Sequence, residues 1–219
     1  MKYKIEGGQL PVVTIELEPG ETIITEAGGM SWMTSNIELE TKGGGVSKVL
    51  GRMFSGESLF LNYYTAKKQD GSISLSSSLP GSIIPIQITK EKPFIMQKGA
   101  FLGAESSVEL SIHFRKKFGT GFFGGEGFIM QKLTGEGTAF LEIDGSCIEK
   151  ELEPGEKLVV STGYVAAMDS TVSMELVSVG GIKNSLLGGE GFFNTVLTGP
   201  GKVYLQTMPA FRLTNLFVK

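Results

Sequence analysis

The chain has 219 residues and a mass of 23.5 kDa, which allows one large β domain or a compact repeat protein. It contains 31 glycines and 41% apolar side chains, enough to bury a core, so a disordered chain is excluded. The 20 basic and 23 acidic residues give a net charge of −3, which argues against a protein whose main partner is nucleic acid.

The chain has one cysteine and one histidine, and both counts limit its chemistry. A lone Cys147 excludes an intrachain disulfide and fits a reducing compartment. A lone His113 excludes a metal centre that needs two or three histidines of one chain. Residues 1–8 lack the apolar stretch of a signal peptide, and no apolar run approaches the length of a membrane-spanning helix. We therefore expect a cytoplasmic protein with no bound cofactor.

A turn followed by a strand is predicted at three places along the chain. A leucine shortly before a Pro-Gly pair occurs at 17–21, 79–82 and 152–156, and an apolar run follows each time. Gly28 and Gly163 lie eight residues after the first and third turns, but Gly99 lies eighteen residues after the middle one. This difference predicts an insertion of ten residues over about 85–94 in the middle copy.

The three glycines set a common register for the strand that follows. Apolar residues recur nine and eleven positions after each glycine, and this spacing of two predicts a strand with one buried face. The residues are Ile37 and Leu39, Val108 and Leu110, and Val172 and Met174.

A Gly-Glu pair is the second repeated landmark, and a threonine always lies eight residues after its glutamate. The glutamates are Glu57, Glu126 and Glu190, and the threonines are Thr65, Thr134 and Thr198. The repeats run over about 12–77, 78–150 and 151–212. We predict an all-β fold, a single domain over 1–219, in which three units close into a pseudo-threefold prism or barrel-like sandwich.

The glycine-rich runs at 28–33, 122–128, 187–191 and 199–201 resemble a known family. This is the altered-inheritance-of-mitochondria family, whose bacterial members have been described as a domain of unknown function. The resemblance covers almost the whole chain and implies a triplicated fold similar to the tryptophan RNA-binding attenuation protein (TRAP-like), with no established enzymatic activity. It also implies a link to membranes, through mitochondrial inner-membrane architecture and bacterial membrane-stress systems. It implies no catalytic residues.

The three repeated glutamates are candidate metal ligands or catalytic groups. A pseudo-threefold axis would bring Glu57, Glu126 and Glu190 together, and three carboxylates suit a hard cation such as calcium. The alternative, which we favour, is that each accepts backbone N–H bonds from its own glycine-rich turn. Duplication copies a turn readily, whereas a catalytic group is normally needed once.

The remaining reactive side chains carry weaker signals. His113 lies at the end of an alternating strand, beside Arg115, Lys116 and Lys117, so its protonated form should be disfavoured. Without a second partner in the sequence, we interpret it as an inert surface histidine. Cys147 is predicted to be a buried structural thiol.

Basic and bulky apolar residues are mixed in the segment before each Gly-Glu pair. The surface that they would form, the basic-apolar patch, consists of Lys48, Leu50, Arg52, Phe54, Arg115, Lys116, Lys117, Phe118, Phe122, Phe123, Lys183, Leu186 and Leu187. Equivalent segments of three units are expected at one end of a pseudo-threefold body. This mixture is typical of a surface that docks on an anionic membrane or a partner. The alternative is that the apolar side chains fill the open end of the body and leave the cations at the rim.

The sequence favours a non-enzymatic interaction or scaffold protein that acts at or near the cytoplasmic face of a membrane. The expected partner is a protein or an anionic membrane surface and not a nucleic acid, and exposed strand edges allow homo-oligomers. One alternative is a metal-dependent binder or enzyme that uses the three glutamates. A second is an RNA-binding module by analogy with the TRAP-like fold, which the net charge opposes.

Overall fold

The structure is a computed structural model that describes residues 1–43, 60–116, 127–178 and 193–210. The strands of the first part are β1 (Lys2–Glu6), β2 (Val12–Leu17), β3 (Thr22–Glu26), β4 (Trp32–Met33), β5 (Ile37–Gly43), β6 (Phe60–Ala66) and β7 (Gly71–Ser76). Those of the middle part are β8 (Gly81–Ile88), β9 (Phe94–Gln97), β10 (Phe101–Glu105), β11 (Val108–Lys116), β12 (Phe128–Gly135) and β13 (Gly137–Asp144). Those of the last part are β14 (Cys147–Leu152), β15 (Lys157–Ser161), β16 (Val165–Asp169), β17 (Ser173–Ser178), β18 (Phe193–Thr198) and β19 (Gly201–Gln206).

These strands form four sheets, which confirms the all-β prediction. Their strand orders are β1-β2-β7-β4, β5-β6-β3-β10-β13-β8, β11-β12-β9-β16-β19-β14 and β15-β18-β17. Every sheet has two edge strands among the described residues, so none of the four is closed on itself. The predicted pseudo-threefold closure remains a prediction.

The chain divides into two compact units, each built from several segments. The first contains Met1–Ile88, Phe101–Glu109 and Gly135–Glu142, and the second contains Thr89–Ala100, Leu110–Thr134 and Ile143–Lys219. The four-stranded sheet lies in the first unit and the three-stranded sheet in the second.

Each unit has its own apolar core. In the first unit, Val13, Ile15 and Ile73 of the four-stranded sheet pack with Ile23 and Tyr64 of the six-stranded sheet. The alternation of Val13, Ile15 and Leu17 along β2 explains this, because one face of the strand is then wholly apolar.

The core of the second unit combines its two sheets in the same manner. Phe128, Met130 and Met168 of the six-stranded sheet pack with Leu197 and Val160 of the three-stranded sheet. All five side chains are buried, so β12, β15, β16 and β18 are fixed by removal of apolar area from water.

The two six-stranded sheets share one strand order with a shift of six strands. Adding six to each label of β5-β6-β3-β10-β13-β8 gives β11-β12-β9-β16-β19-β14, which is the order of the second sheet. Adding six again to the first three gives β17-β18-β15, the three-stranded sheet read in reverse. The strand orders of these sheets therefore match after a shift of six labels.

A side-chain oxygen holds the start of one strand in each third of the chain. The bonds run from Ser72 N to Thr34 Oγ1 at 3.0 Å, from Thr138 N to Glu105 Oε2 at 2.6 Å, and from Lys202 N to Asp169 Oδ2 at 2.9 Å. The residue before each donor is a glycine, and a Cβ on Gly137 would lie 2.6 Å from Glu105 Oε2. Glycine at this position is therefore required by the close approach of the acceptor.

The predicted equivalence of the three Pro-Gly turns is wrong for the middle one. The turns near Gly20 and Gly155 connect β2 to β3 and β14 to β15, whereas Gly81 begins β8 after β7. The supposed insertion at 85–94 contains the end of β8 and the start of β9. The error arose because Pro-Gly predicts a turn but does not specify which strands the turn connects.

Candidate interaction surface at the hairpin ends

Three pairs of consecutive strands, β5–β6, β11–β12 and β17–β18, are neighbours in their sheets and form three hairpins. Their connections are residues 44–59, 117–127 and 179–192, and all of these residues except Gly127 lie outside the described part of the chain. The glutamates Glu57, Glu126 and Glu190 fall in these connections, as do the patch residues Lys48, Leu50, Arg52, Phe54, Lys117, Phe118, Phe122, Phe123, Lys183, Leu186 and Leu187. Of the predicted patch, Arg115 and Lys116 are described, at the end of β11.

The first hairpin exposes two large apolar side chains on one face. Leu39 is opposite Tyr64, and Gly43 is opposite Phe60, so these residues share a face of the ribbon. Leu39 is 50% exposed and Phe60 is 55% exposed, whereas Tyr64 is buried. This face therefore carries exposed apolar side chains towards the connection, with the polar pair of Thr41 and Asn62 between Leu39 and Phe60.

Polar contacts hold this exposed part of the ribbon. Thr41 Oγ1 donates to Asn62 Oδ1 at 2.8 Å, on the same face as Leu39. On the other face, Lys42 Nζ lies 3.0 Å from Glu40 Oε2 and 4.7 Å from the ring centre of Tyr63. The end of the first hairpin thus combines a cation with exposed apolar area, although Lys42 was not part of the predicted patch.

The ends of the second and third hairpins meet within the second unit. Lys116 Nζ, at the end of β11, lies 5.3 Å from the ring centre of Phe193, at the start of β18. Phe193 is opposite Ser178, the last residue of β17, so this contact is at the end of the third hairpin. Lys116 is exposed and Arg115 is partly buried. Lys116, a residue of the predicted patch on the second hairpin, therefore contacts the end of the third hairpin.

The sequence predicted that the residues nine and eleven positions after Gly28, Gly99 and Gly163 are buried. This is confirmed at the ninth position, but burial differs between the strands at the eleventh. Ile37, Val108 and Val172 are all buried, as the spacing predicted. At the second position Leu110 is buried, but Leu39 is half exposed. The spacing identifies the face of a strand correctly, but it does not show where along the strand the covering sheet ends.

His113 is exposed on β11, and its pKa is lowered from the ordinary value of 6.5. The first cause is loss of hydration and the second is the positive charge of Lys132 on β12. The direction agrees with the prediction, but the cation responsible is on the neighbouring strand and not at 115–117. Sequence distance could not reveal this cross-strand neighbour.

Cys147 is not the buried thiol that the sequence predicted. It begins β14, an edge strand, and it is partly exposed. Burial raises the pKa of its thiol, and the charge of Glu149 raises it further. The thiol is therefore held in its unreactive protonated form.

The described residues carry no assembled metal centre. No group of three or more His, Cys, Asp or Glu side chains within them is placed to hold an ion. Within the same residues, no helix is long and apolar enough to cross a membrane. The chemistry that the described hairpin ends offer is cationic and apolar contact.

Comparison with known proteins identifies the chain at family level. Residues 3–208 match the family described as Mitochondrial biogenesis AIM24. The chain belongs to the AIM24 family. The uncharacterized protein M6_Spy0233 of Streptococcus pyogenes serotype M6 is 31% identical to it over 218 residues, which cover 95% of this chain and 86% of that protein.

The same fold occurs in a solved structure. The X-ray crystal structure of protein SPYM3_0169 from Streptococcus pyogenes is 27% identical and superposes with a TM-score of 0.81, covering 99% of this chain and 97% of that one. Membership of the AIM24 family confirms the resemblance that the glycine-rich runs indicated. Because these relatives are uncharacterized, the biochemical role of this chain follows from its own residues.

Proposed function

We propose that this AIM24-family chain is a non-enzymatic interaction protein that docks through its three hairpin ends on an anionic membrane face. The observation that carries the proposal is that all three cationic, apolar segments of the sequence are connections between the two strands of a hairpin. Because Lys116 contacts Phe193, the second and third hairpins end beside each other. Exposed Leu39 and Phe60 supply apolar area at the first hairpin, β5–β6.

A triplicated unit of six strands supports the proposal, because it makes the three hairpins equivalent. The units are β2 to β7, β8 to β13 and β14 to β19, with β1 as an addition. The shift of six strands in the sheet orders supports this division, and so do the three recurring bonds to Thr34, Glu105 and Asp169. Copies of one unit closing around a pseudo-threefold axis would carry all three connections at one end.

The turn after the first strand of each unit supports the same division. Backbone bonds of the same kind run from Glu21 N to Glu18 O, from Lys92 N to Thr89 O, and from Glu156 N to Glu153 O, at 2.9, 3.1 and 2.9 Å. The residue before each turn is Leu17, Ile88 or Leu152, and each lies eleven positions before Gly28, Gly99 or Gly163. This alignment needs no insertion in the middle unit.

The chemistry of the surface suits a layer of anionic lipid headgroups. The connections and the strand end carry six cations, at Lys48, Arg52, Arg115, Lys116, Lys117 and Lys183. Each basic residue near such a membrane contributes about 1 kcal/mol, and buried apolar side chains add to this. The chain as a whole is acidic, so the attraction would be confined to this surface and would orient the protein.

The test is sedimentation of the full chain with vesicles that contain phosphatidylserine. Reversing two charges in K116E/K117E should weaken binding about 30-fold, because two contacts of about 1 kcal/mol each are lost. The matched control is K67E/K68E, an adjacent lysine pair that follows the opposite end of β6 from Phe60. Lys67 makes only an exposed ion pair with Glu38, at 3.4 Å, so the control should fold and bind as the parent does.

Two results would contradict the proposal. If the parent does not sediment with anionic vesicles, the hairpin ends do not dock on a membrane. If the control pair weakens binding as much as K116E/K117E does, the attraction comes from overall charge and not from this surface.

The alternative metal site at Glu57, Glu126 and Glu190 is less well supported. Two glutamates of other glycine-containing turns act as local caps, since Glu18 N donates to Glu21 Oε2 at 2.8 Å and Glu153 N donates to Glu156 Oε2 at 2.9 Å. A carboxylate repeated with a turn therefore has a structural role elsewhere in this chain. The RNA-binding alternative rests on the TRAP-like fold alone, and fold does not imply function.

A further inference from the structure

We propose that the free edge of β14 binds an extended segment of a partner protein in which lysines alternate with apolar residues. The segment would add one antiparallel strand to the six-stranded sheet of the second unit, a common mode of peptide recognition. This site is separate from the hairpin ends, and the proposal goes beyond membrane docking.

The strand pairs β2–β7 and β14–β19 have the same register. Leu17, the last residue of β2, is opposite Gly71, the first residue of β7, and Leu152 of β14 is opposite Gly201 of β19 in the same way. The sequence Glu-Pro-Gly-Glu follows both leucines. Each residue of β14 therefore has a counterpart on β2.

Only one of these two edges is covered among the described strands. β1 pairs antiparallel with β2, whereas none of the described strands pairs with the outer side of β14. Val13 of β2 is opposite Ile5 of β1 and is 0% exposed. Its counterpart Ile148 on β14 is 44% exposed. Because β1 covers the edge of β2, its sequence indicates what kind of strand fits the edge of β14.

The lysines of β1 match the acidic residues of β14. Lys2 is opposite Glu16 on β2, and the counterpart of Glu16 on β14 is Glu151. A strand with the spacing of β1 would place its second lysine, the equivalent of Lys4, opposite Glu149. Opposite charges across an antiparallel pair stabilise it, and like charges destabilise it. The edge of β14 therefore selects a basic strand.

The acidic face of β14 is only partly neutralised within the chain. Glu149 and Glu151 are both exposed and lie on one face of the strand. Lys202 on β19 is opposite Glu151, and its Nζ lies 3.0 Å from Glu149 Oε2. One lysine thus serves two glutamates, and this leaves a negative charge that a basic partner segment would neutralise.

β8, the edge strand of the other six-stranded sheet, differs from β14 in its backbone chemistry. It contains the exposed Pro85, which has no backbone N–H to donate and is typical of an edge that stays unpaired. β14 contains no proline, so each of its outward N–H groups can donate to an added strand. The β14 edge therefore has both the backbone groups and the charges that strand addition requires.

Titration of a synthetic peptide into the full chain tests the proposal, with backbone amide NMR shifts as the measurement. The probe has the sequence of residues 1–8 and blocked ends. It should shift the amides of β14 and reach saturation. E149K/E151K should weaken binding about tenfold, because two attractive charge pairs become repulsive. A peptide with both lysines changed to glutamate should restore binding to this variant.

The matched control is E38K/E40K. Glu38 and Glu40 are also exposed, two positions apart, on the edge strand β5, so this variant makes the same change in net charge. It should bind the peptide as the parent does. Equal weakening by the two variants would assign binding to overall charge and overturn the proposal.

Three further results would also overturn it. The first is a titration that leaves the amides of β14 unshifted. The second is a shift confined to β1 and β2, which would mean that the peptide replaces β1. The third is a dimer of the parent in sedimentation velocity that E149K/E151K abolishes, since the edge would then be covered by a second copy and not by a partner protein.

Discussion

Ile95 of β9 and Val159 of β15 lie four positions before Gly99 and Gly163, respectively, but have opposite environments. Ile95 is 2% exposed, because β9 lies between β12 and β16. Val159 is 61% exposed, and among the described strands β15 pairs with β18 alone. The comparison teaches that strands at matching places in the sheet order differ in burial, because the elements packed around a strand determine which of its side chains leave water.

The largest expected effect compares these two residues directly. Ile95→Ala should lower the free energy of unfolding by about 2–4 kcal/mol, because it leaves a cavity in the core of the second unit. Val159→Ala should lower it by less than about 0.5 kcal/mol, because the side chain is largely in water. Denaturant unfolding of dilute protein measures both values, and equal losses would show that the edge is already covered in the single chain.

A smaller difference is expected between two of the recurring hydrogen bonds. Asp169→Ala should cost about 1.5–3 kcal/mol, since it removes a partly buried charged acceptor from Lys202 N. Thr34→Ala should cost about 0.5–1 kcal/mol, since its bond to Ser72 N is neutral and exposed. Thermal or denaturant unfolding measures which of the two substitutions lowers the stability more. A larger loss for Thr34→Ala would contradict the view that environment, and not the repeat, sets the strength of each bond.

The smallest effect concerns pH and the exposed His113 on the second hairpin. Its pKa in the folded chain is below 6.5, first through lost hydration and then through Lys132, so the unfolded chain binds the proton more readily. The contribution of His113 to the free energy of unfolding is therefore fully present above pH 6.5. It is lost as the pH falls towards the pKa of His113 in the folded chain. Melting temperatures from pH 7.5 to 5.5 should fall slightly less for His113→Gln than for the parent, and a steeper fall would contradict the assigned direction.

The sequence predicted the structure within single strands well, but it predicted poorly which strands and side chains lie beside one another. Buried Ile37, Val108 and Val172 followed from a spacing of two after a repeated glycine, which is a property of one strand. Exposed Trp32 could not be predicted, because its exposure depends on whether a strand pairs with the outer edge of β4, and none of the described strands does. Lys132 was not identified as the neighbour of His113 for the same reason, since cross-strand pairs depend on register.

The candidate surface was predicted from the residue types in three segments and not from the positions of those segments in the fold. Of the three basic-apolar segments, only Arg115 and Lys116 are described, and both belong to β11, whereas the other patch residues lie between paired strands and outside the described residues. Leu39, Phe60 and Lys42 were not assigned to the surface, because their spacing is that of an ordinary strand with one buried face. Their exposure follows from the length of the ribbon beyond the core, which the sequence does not encode locally.

Hydrogen exchange with and without phosphatidylserine vesicles tests the proposed docking most directly, because it reports on all three hairpins at once. The account predicts slower exchange on vesicles in peptides from the ends of β5–β6, β11–β12 and β17–β18. It predicts no change in β14, an exposed and charged edge strand that serves as an internal control. Protection confined to one hairpin, or equal protection of β14, would contradict the claim that three equivalent hairpin ends form the docking surface.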